Sequence, residues 1–194
     1  MSVAALGLGV LGASVAGARR PTIAPAEARA FRLVNQWPDG LYRLLWPPMQ
    51  LGNLVVGTVA GLVVAAVHGD AVIGGGVLLA AVLKLVVERV VRRQMAGALA
   101  VRQRPGTSQA GAILRGRGVP SSGPSFPSGH VILVAAIGSV VTPTLPVTSW
   151  WVPVVLTALV MISRVYVGAH NPLDVTAGLG AGLLLGGVLA AFVD

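Results

Sequence analysis

Residues 71–91 read Ala-Val-Ile-Gly-Gly-Gly-Val-Leu-Leu-Ala-Ala-Val-Leu-Lys-Leu-Val-Val-Glu-Arg-Val-Val, with Lys84, Glu88 and Arg89 the only charges. A helix needs about 20 mostly apolar residues to cross about 30 Å of hydrocarbon, and in lipid it satisfies its own backbone groups. This stretch meets both conditions. Working outward, comparable apolar stretches occupy residues 1–18, 51–68, 130–145, 150–168 and 173–193. The stretch at 130–145 is short and runs into Pro143 and Pro146. The expected fold is all-α: a polytopic membrane protein with six transmembrane helices in one bundle, a single domain over residues 1–194.

Composition agrees. The 194 residues are 55% hydrophobic and 10% charged, where a soluble domain carries about 25% charge. Mean hydropathy is +0.82. The 26 glycines suit close helix packing in lipid. The net charge of +8 is carried by arginines, with Lys84 the only lysine. These arginines flank apolar runs without aromatic interleaving, so the expected partners are membrane lipids and phosphate esters, not nucleic acid. The absence of cysteine excludes disulfides, thiolate nucleophiles and cysteine metal sites. There is no Walker-type glycine loop and no His-Glu-x-x-His, and the acids are scattered, so neither a metal nor a cofactor is expected.

Ala16-Gly17-Ala18 resembles a signal-peptidase site, but Arg19 and Arg20 follow the apolar run instead of preceding it. A retained helix is expected. In residues 19–50, Phe31, Leu33, Trp37, Leu41, Tyr42, Leu44, Leu45 and Trp46 alternate with Arg29, Arg32, Asp39 and Arg43. This reads as an interfacial amphipathic connection that anchors the chain or shapes a path for lipid.

The main interruption is the polar interval 92–129, with Arg92, Arg93, Arg102, Arg104, Arg115 and Arg117 before a Gly/Ser/Pro run. Loops this long are usually functional or disordered. Two crossings separate it from the connection after the fifth helix, so both lie on one side of the membrane and can share a site. In Pro127-Ser128-Gly129-His130, Ser128 suits an N-cap and Gly129 exposes backbone N–H where a helix begins. That is a phosphate cradle beside a histidine, or an ordinary capped helix. Further on, Asn171 can cap a helix with Pro172 in its first turn, and Asp174 can reach back to His170. A carboxylate there fixes the imidazole tautomer and leaves the other nitrogen free to attack phosphorus; the plainer reading is a salt bridge among Arg164, His170 and Asp174. Arg104, before Pro105, suits a bidentate clamp on phosphate or a headgroup contact. His68 and Asp70 fall in a turn on the opposite face, where a solvated histidine is expected.

Arg104-Pro105, Pro127-Ser128-Gly129-His130 and Ser163-Arg164 followed by His170 and Asp174 resemble, in this order, the three-part signature of the type 2 phosphatidic acid phosphatase superfamily. That family includes bacterial undecaprenyl pyrophosphate phosphatases, and its site is similar to that of vanadium haloperoxidases. The likeness runs from about residue 51 to the C-terminus. The second and third motifs match in full. The first departs: the lysine usual seven residues before the arginine is Gly97 here, and Lys84, Arg92, Arg93 or Arg102 are candidates for the missing cation.

The resemblance implies a site at the membrane interface and a two-step, metal-free hydrolysis of a lipid phosphate or polyprenyl (pyro)phosphate. In it His170 is the nucleophile that becomes phosphohistidine, Asp174 orients it, and His130 protonates the leaving group and then activates water. Arg104, Ser128, Gly129 and Arg164, with Lys84, hold the phosphate. Transfer to an acceptor alcohol, or a catalytically weakened lipid-binding membrane protein, are the alternatives; haloperoxidase activity is disfavoured. Ala/Val/Gly/Arg-heavy usage hints at a GC-rich bacterial genome and so an inner membrane. Arg19, Arg20, Arg29, Arg32 and Arg43 share the side of the catalytic loops, which the positive-inside rule makes cytoplasmic, against the outer face favoured among bacterial polyprenyl pyrophosphatases.

Overall fold

The protein is described by a computed structural model covering residues 2–19, 22–96 and 102–192. Arg20 and Gly97 lie outside the described residues, as does the side chain of Arg92. Nine helices are described: α1 (Val3–Ala18), α2 (Pro25–Asn35), α3 (Tyr42–Met49), α4 (Leu54–Val67), α5 (Ala71–Ala96), α6 (Pro105–Ser108), α7 (Gly129–Val141), α8 (Trp151–Tyr166) and α9 (Pro172–Ala190).

Local chemistry sets where several begin. The Asn53 side chain accepts from the Val55 and Val56 N–H groups at 3.0 and 3.4 Å to start α4. Asp70 accepts from Val72 and Ile73 at 2.9 and 3.0 Å to start α5. Between them Gly69 takes a left-handed φ of 66°, and the His68 ring lies 2.9 Å from the Val64 carbonyl in an exposed turn.

Among the described residues, Ala71–Val91, Val147–Tyr166 and Pro172–Ala190 are each long and apolar enough to cross a membrane. The segments Asp39–Gly52 and Leu54–Val67 make a fourth if taken as one span bent by 74°. Val3–Ala18 and Gly129–Thr144 are apolar but shorter. All six apolar stretches of the sequence are thus helical, three of them with spanning length on their own. The α-helical part of the fourth stretch stops at Val141, where Pro143 enters a 3-10 turn. The polar interval, conversely, begins as helix: α5 continues through Ala96 because Glu88, Arg89, Arg93, Gln94 and Met95 are good helix formers. Its 26 residues reach about 39 Å at 1.5 Å each, well past the hydrocarbon.

α7 is the central helix, with Val131, Ile132, Leu133, Ala136 and Val140 buried on all sides. It packs on α9, whose glycines let backbones touch: a Cβ on Gly182 would lie 2.6 Å from the Ile132 carbonyl oxygen. On the other face of α9, a Cβ on Gly180 would lie 2.8 Å from Leu11 Cα of α1. Ser14 Oγ and Thr176 Oγ1, 2.9 Å apart, add a polar tie between α1 and α9. Outside, Val59, Val63 and Val82 are more than half exposed, as a lipid-facing surface requires.

The 19–50 connection is two-faced. Arg29, Arg32, Leu33, Arg43, Leu44 and Trp46 face outward, while Phe31 is buried with Val131, Val160 and Val175. Leu45 and Met49 are buried against Tyr166, Val167 and Ala169. Phe31, read from sequence as part of an interfacial belt, belongs to the core instead; α2 and α3 lean on the loop they accompany.

Candidate active site

The polar interval is held in place by buried arginine and asparagine contacts. Arg115 donates to the carbonyls of Asn35, Trp37 and Tyr166 at 2.6, 2.9 and 2.9 Å and to Asp39 at 2.8 Å. Its guanidinium lies 4.3 Å from the centre of the Tyr166 ring. The Asn35 side chain donates to the carbonyls of Ile113 and Tyr166 and accepts from the Ile113 N–H. Two stretches of the interval then run side by side, with Arg104 N donating to Gly123 O at 3.1 Å and Ser125 N to Arg102 O at 3.0 Å.

The connection from α8 to α9 folds back over its own helix. Ala169 N and His170 N both donate to Arg164 O. Gly168 makes this turn with φ of 75°, so close to the interval that a Cβ would lie 2.6 Å from Ile113 O. The two segments meet where Arg104 Nη1 donates to Ala169 O at 2.9 Å and His170 Nδ1 bonds Ser125 O at 2.8 Å. They enclose a cavity of about 320 Å³ lined by Arg104, Arg164, His130 and His170. Lys84 and Glu88 of α5 line it too, as does Gly129. The His130 ring rests on Gly52, where a Cβ would lie 2.8 Å from its Cδ2.

His170 is buried, and burial pushes its pKa well below the ordinary 6.5; Arg164, Arg104 and His130 add to the effect and the Ser125 carbonyl opposes it. The imidazole is therefore neutral. A carbonyl only accepts, so Nδ1 carries the proton and Nε2 the lone pair. Arg164 is buried, its Nη1 donates to Met49 Sδ at 3.6 Å, and its Nε has no partner among the described residues.

Asp174 sits differently from the sequence expectation. Its Oδ2 is 3.9 Å from His170 Nδ1, beyond hydrogen-bond reach. Oδ2 instead accepts the Asn171 N–H at 2.7 Å, closing the capping box of α9, and Oδ1 accepts Arg102 Nε at 2.7 Å. Arg102 also pairs with Glu27 of α2, whose Oε1 accepts the Leu173 N–H at 2.9 Å. Burial works against the Arg102 charge, but Asp174 and then Glu27 outweigh it and hold the guanidinium above its ordinary range. Spacing brings the carboxylate near His170; a helix terminus and an arginine then take its oxygens, and the Ser125 carbonyl fixes the tautomer.

Ser128 stands at the N-cap position of α7, as expected, but its side chain does not make the expected cap bond. Its Oγ is buried without a partner among the described residues, and it does not line the cavity. Its main chain does the work: N donates to Asp174 O at 2.9 Å, and O accepts from Val131 and Ile132. Of the candidates for the missing cation, Lys84 lines the cavity, Arg102 is paired away from it and Arg93 is exposed. Ser125, Glu27 and Glu88 carried no signal in the sequence. Ser125 acts through its backbone, Glu27 is remote in sequence from its partners, and Glu88 reads as one more helix-surface charge.

The PAP2 superfamily profile matches residues 71–194. An undecaprenyl-diphosphatase of Sulfolobus acidocaldarius is 44% identical over 54 residues, 28% of this chain and 26% of the relative. The bacitracin transport permease protein BcrC of Bacillus licheniformis is 46% identical over 70 residues, 36% of this chain and 32% of the relative. The chain therefore aligns with about a quarter to a third of these relatives' length. Among solved structures, the PAP2-type phosphatidylglycerolphosphate phosphatase of Bacillus subtilis matches with a TM-score of 0.71 at 22% identity, covering 97% of this chain and 93% of that one. LpxE of Aquifex aeolicus matches at 0.64 and 20% identity, covering 84% and 93%. At these identities the structural matches speak for the fold.

Proposed function

The chain belongs to the PAP2 superfamily, and on that premise we propose that this integral membrane protein hydrolyses a lipid phosphate or polyprenyl diphosphate through a phosphohistidine, without a metal ion. The observation that carries the reading is the buried Nε of Arg164, without a partner among the described residues, in a cavity that Arg104, Lys84 and two histidines also line. A cavity with three cations and one carboxylate among its described lining residues is built for an anion with several acceptor oxygens.

In the proposed reaction His170 Nε2 attacks phosphorus, the bond from phosphorus to the departing oxygen breaks, and protonated His130 gives its proton to that oxygen. Neutral His130 then takes a proton from water as the water oxygen attacks phosphorus; the N–P bond breaks, phosphate leaves and both histidines return to their starting states. Arg104, Arg164, Lys84 and the first N–H groups of α7 at Gly129 neutralise the equatorial oxygens. Asp174 and Ser128 act from behind, by fixing the starts of α9 and α7. The undecaprenyl-diphosphatase relative favours a polyprenyl diphosphate as substrate.

All six apolar segments are taken as spans, in a bacterial inner membrane, with the catalytic face cytoplasmic because exposed Arg19, Arg29, Arg32 and Arg43 share its side. A single cysteine at exposed Ser122, labelled from one side only, tests that orientation; labelling solely from the periplasmic side overturns it. The activity is tested by phosphate release from undecaprenyl diphosphate and phosphatidate with EDTA present. Release that stops in EDTA and returns with a divalent cation sinks metal independence. Failure to release phosphate from any lipid favours the lipid-binding alternative.

A further inference from the structure

The carboxylate in the cavity belongs to Glu88, and the proposed reaction gives it no task. Lys84 Nζ lies 3.0 Å from Glu88 Oε2, and the two side chains are 10% and 21% exposed. The other oxygen, Oε1, rests against Gly129, the first residue of α7, so closely that a Cβ there would overlap it. Lys84 Cε would lie 3.1 Å from the same Cβ. The carboxylate thus sits between an ammonium group and the positive end of a buried helix, two places where phosphate oxygens would be held. Helix stability alone does not call for this pair, since Lys before Glu is the weaker order at this spacing.

Resting on the reading that this cavity takes phosphate, we propose that Glu88 is a charge filter: its carboxylate occupies Lys84 and the start of α7 until a phosphate group with two or more negative charges displaces it. A singly charged phosphodiester brings no more charge than the carboxylate it would have to replace. A phosphate monoester dianion or a diphosphate does. The distinction matters at a membrane surface, where phosphodiester headgroups surround the site and would fill an unguarded cluster of cations. Because Glu88 is partly solvated, the filter is graded, not absolute.

The test is calorimetric binding of inorganic phosphate and of dimethyl phosphate, a soluble phosphodiester monoanion, to purified protein in detergent. Glu88→Gln is expected to bind dimethyl phosphate roughly tenfold more tightly, with a smaller gain for inorganic phosphate, so that discrimination falls. Weaker binding of inorganic phosphate by Glu88→Gln, the outcome if Glu88 merely orients Lys84, overturns the filter. So does an unchanged ratio between the two ligands. Glu88→Ala, which removes the contact altogether, is expected to show the same loss of discrimination and serves if the glutamine variant melts early. Wild type that binds neither ligand contradicts the phosphate-site reading itself, whereas phosphate binding with an unaltered ratio contradicts only the filter.

Discussion

Arg102 and Arg104 are two residues apart in one extended stretch, yet they belong to opposite kinds of charge cluster. Arg102 is 2% exposed and meets Asp174 and Glu27, in a buried group where each charge has a partner. Arg104 faces a cavity with Arg164 and Lys84 on its walls, where the cations outnumber the carboxylate. The first cluster ties α2, the polar interval and α9 together; the second lines the cavity that the proposed function assigns to phosphate. Buried charge by itself therefore does not mark a site. The proposed function rests instead on an excess of charge of one sign around an open volume.

The contrast is broken most severely at Arg102. Arg102→Met leaves Asp174 and Glu27 buried without their cation, and a loss of about 3–5 kcal/mol is expected, read as a lower thermal midpoint in detergent; wild-type stability in this variant would erase the distinction. Arg164→Met should behave oppositely. It removes an uncompensated cation, so the midpoint should hold or rise while kcat/KM for lipid phosphate falls about 100- to 1000-fold. Glu27→Gln leaves Arg102 with Asp174 and should cost about 1–3 kcal/mol, less than Arg102→Met in the same melting series.

The smallest expected effect is on pH dependence. Because the His170 pKa is lowered in the folded protein, the unfolded chain takes up a proton first as pH falls below about 6.5. The stability contributed by His170 is thus complete above that pH and declines below it, toward the folded value. Melting from pH 7.5 down to 5 should show a shallower decline in His170→Asn than in wild type; identical slopes would mean that the buried imidazole is not held neutral.

Much of this was legible in the sequence. The six apolar segments were, because helix length and hydropathy are local properties. So were the Asn171–Asp174 cap and the grouping of Arg104, His130, Arg164 and His170, because helix parity alone puts their loops on one side. What was hidden depends on partners distant in the chain. The spacing of His170 and Asp174 suggests a direct bond, but Arg102 and the Asn171 N–H compete for the same oxygens. Ser128 looks like a cap, but the tie from its N–H to Asp174 O belongs to a backbone arrangement that its side chain does not report. The position of Lys84 was obscured because α5 continues through Ala96, so that Lys84 is far from Arg104 in the chain yet still lines the cavity with it.

The most direct measurement is inorganic phosphate release from undecaprenyl diphosphate by purified wild type and His170→Ala, in detergent and EDTA, with the fold of both checked by melting. Turnover by wild type and none by the folded variant is the result expected if His170 carries the phosphoryl group. Equal release by the two proteins would contradict it.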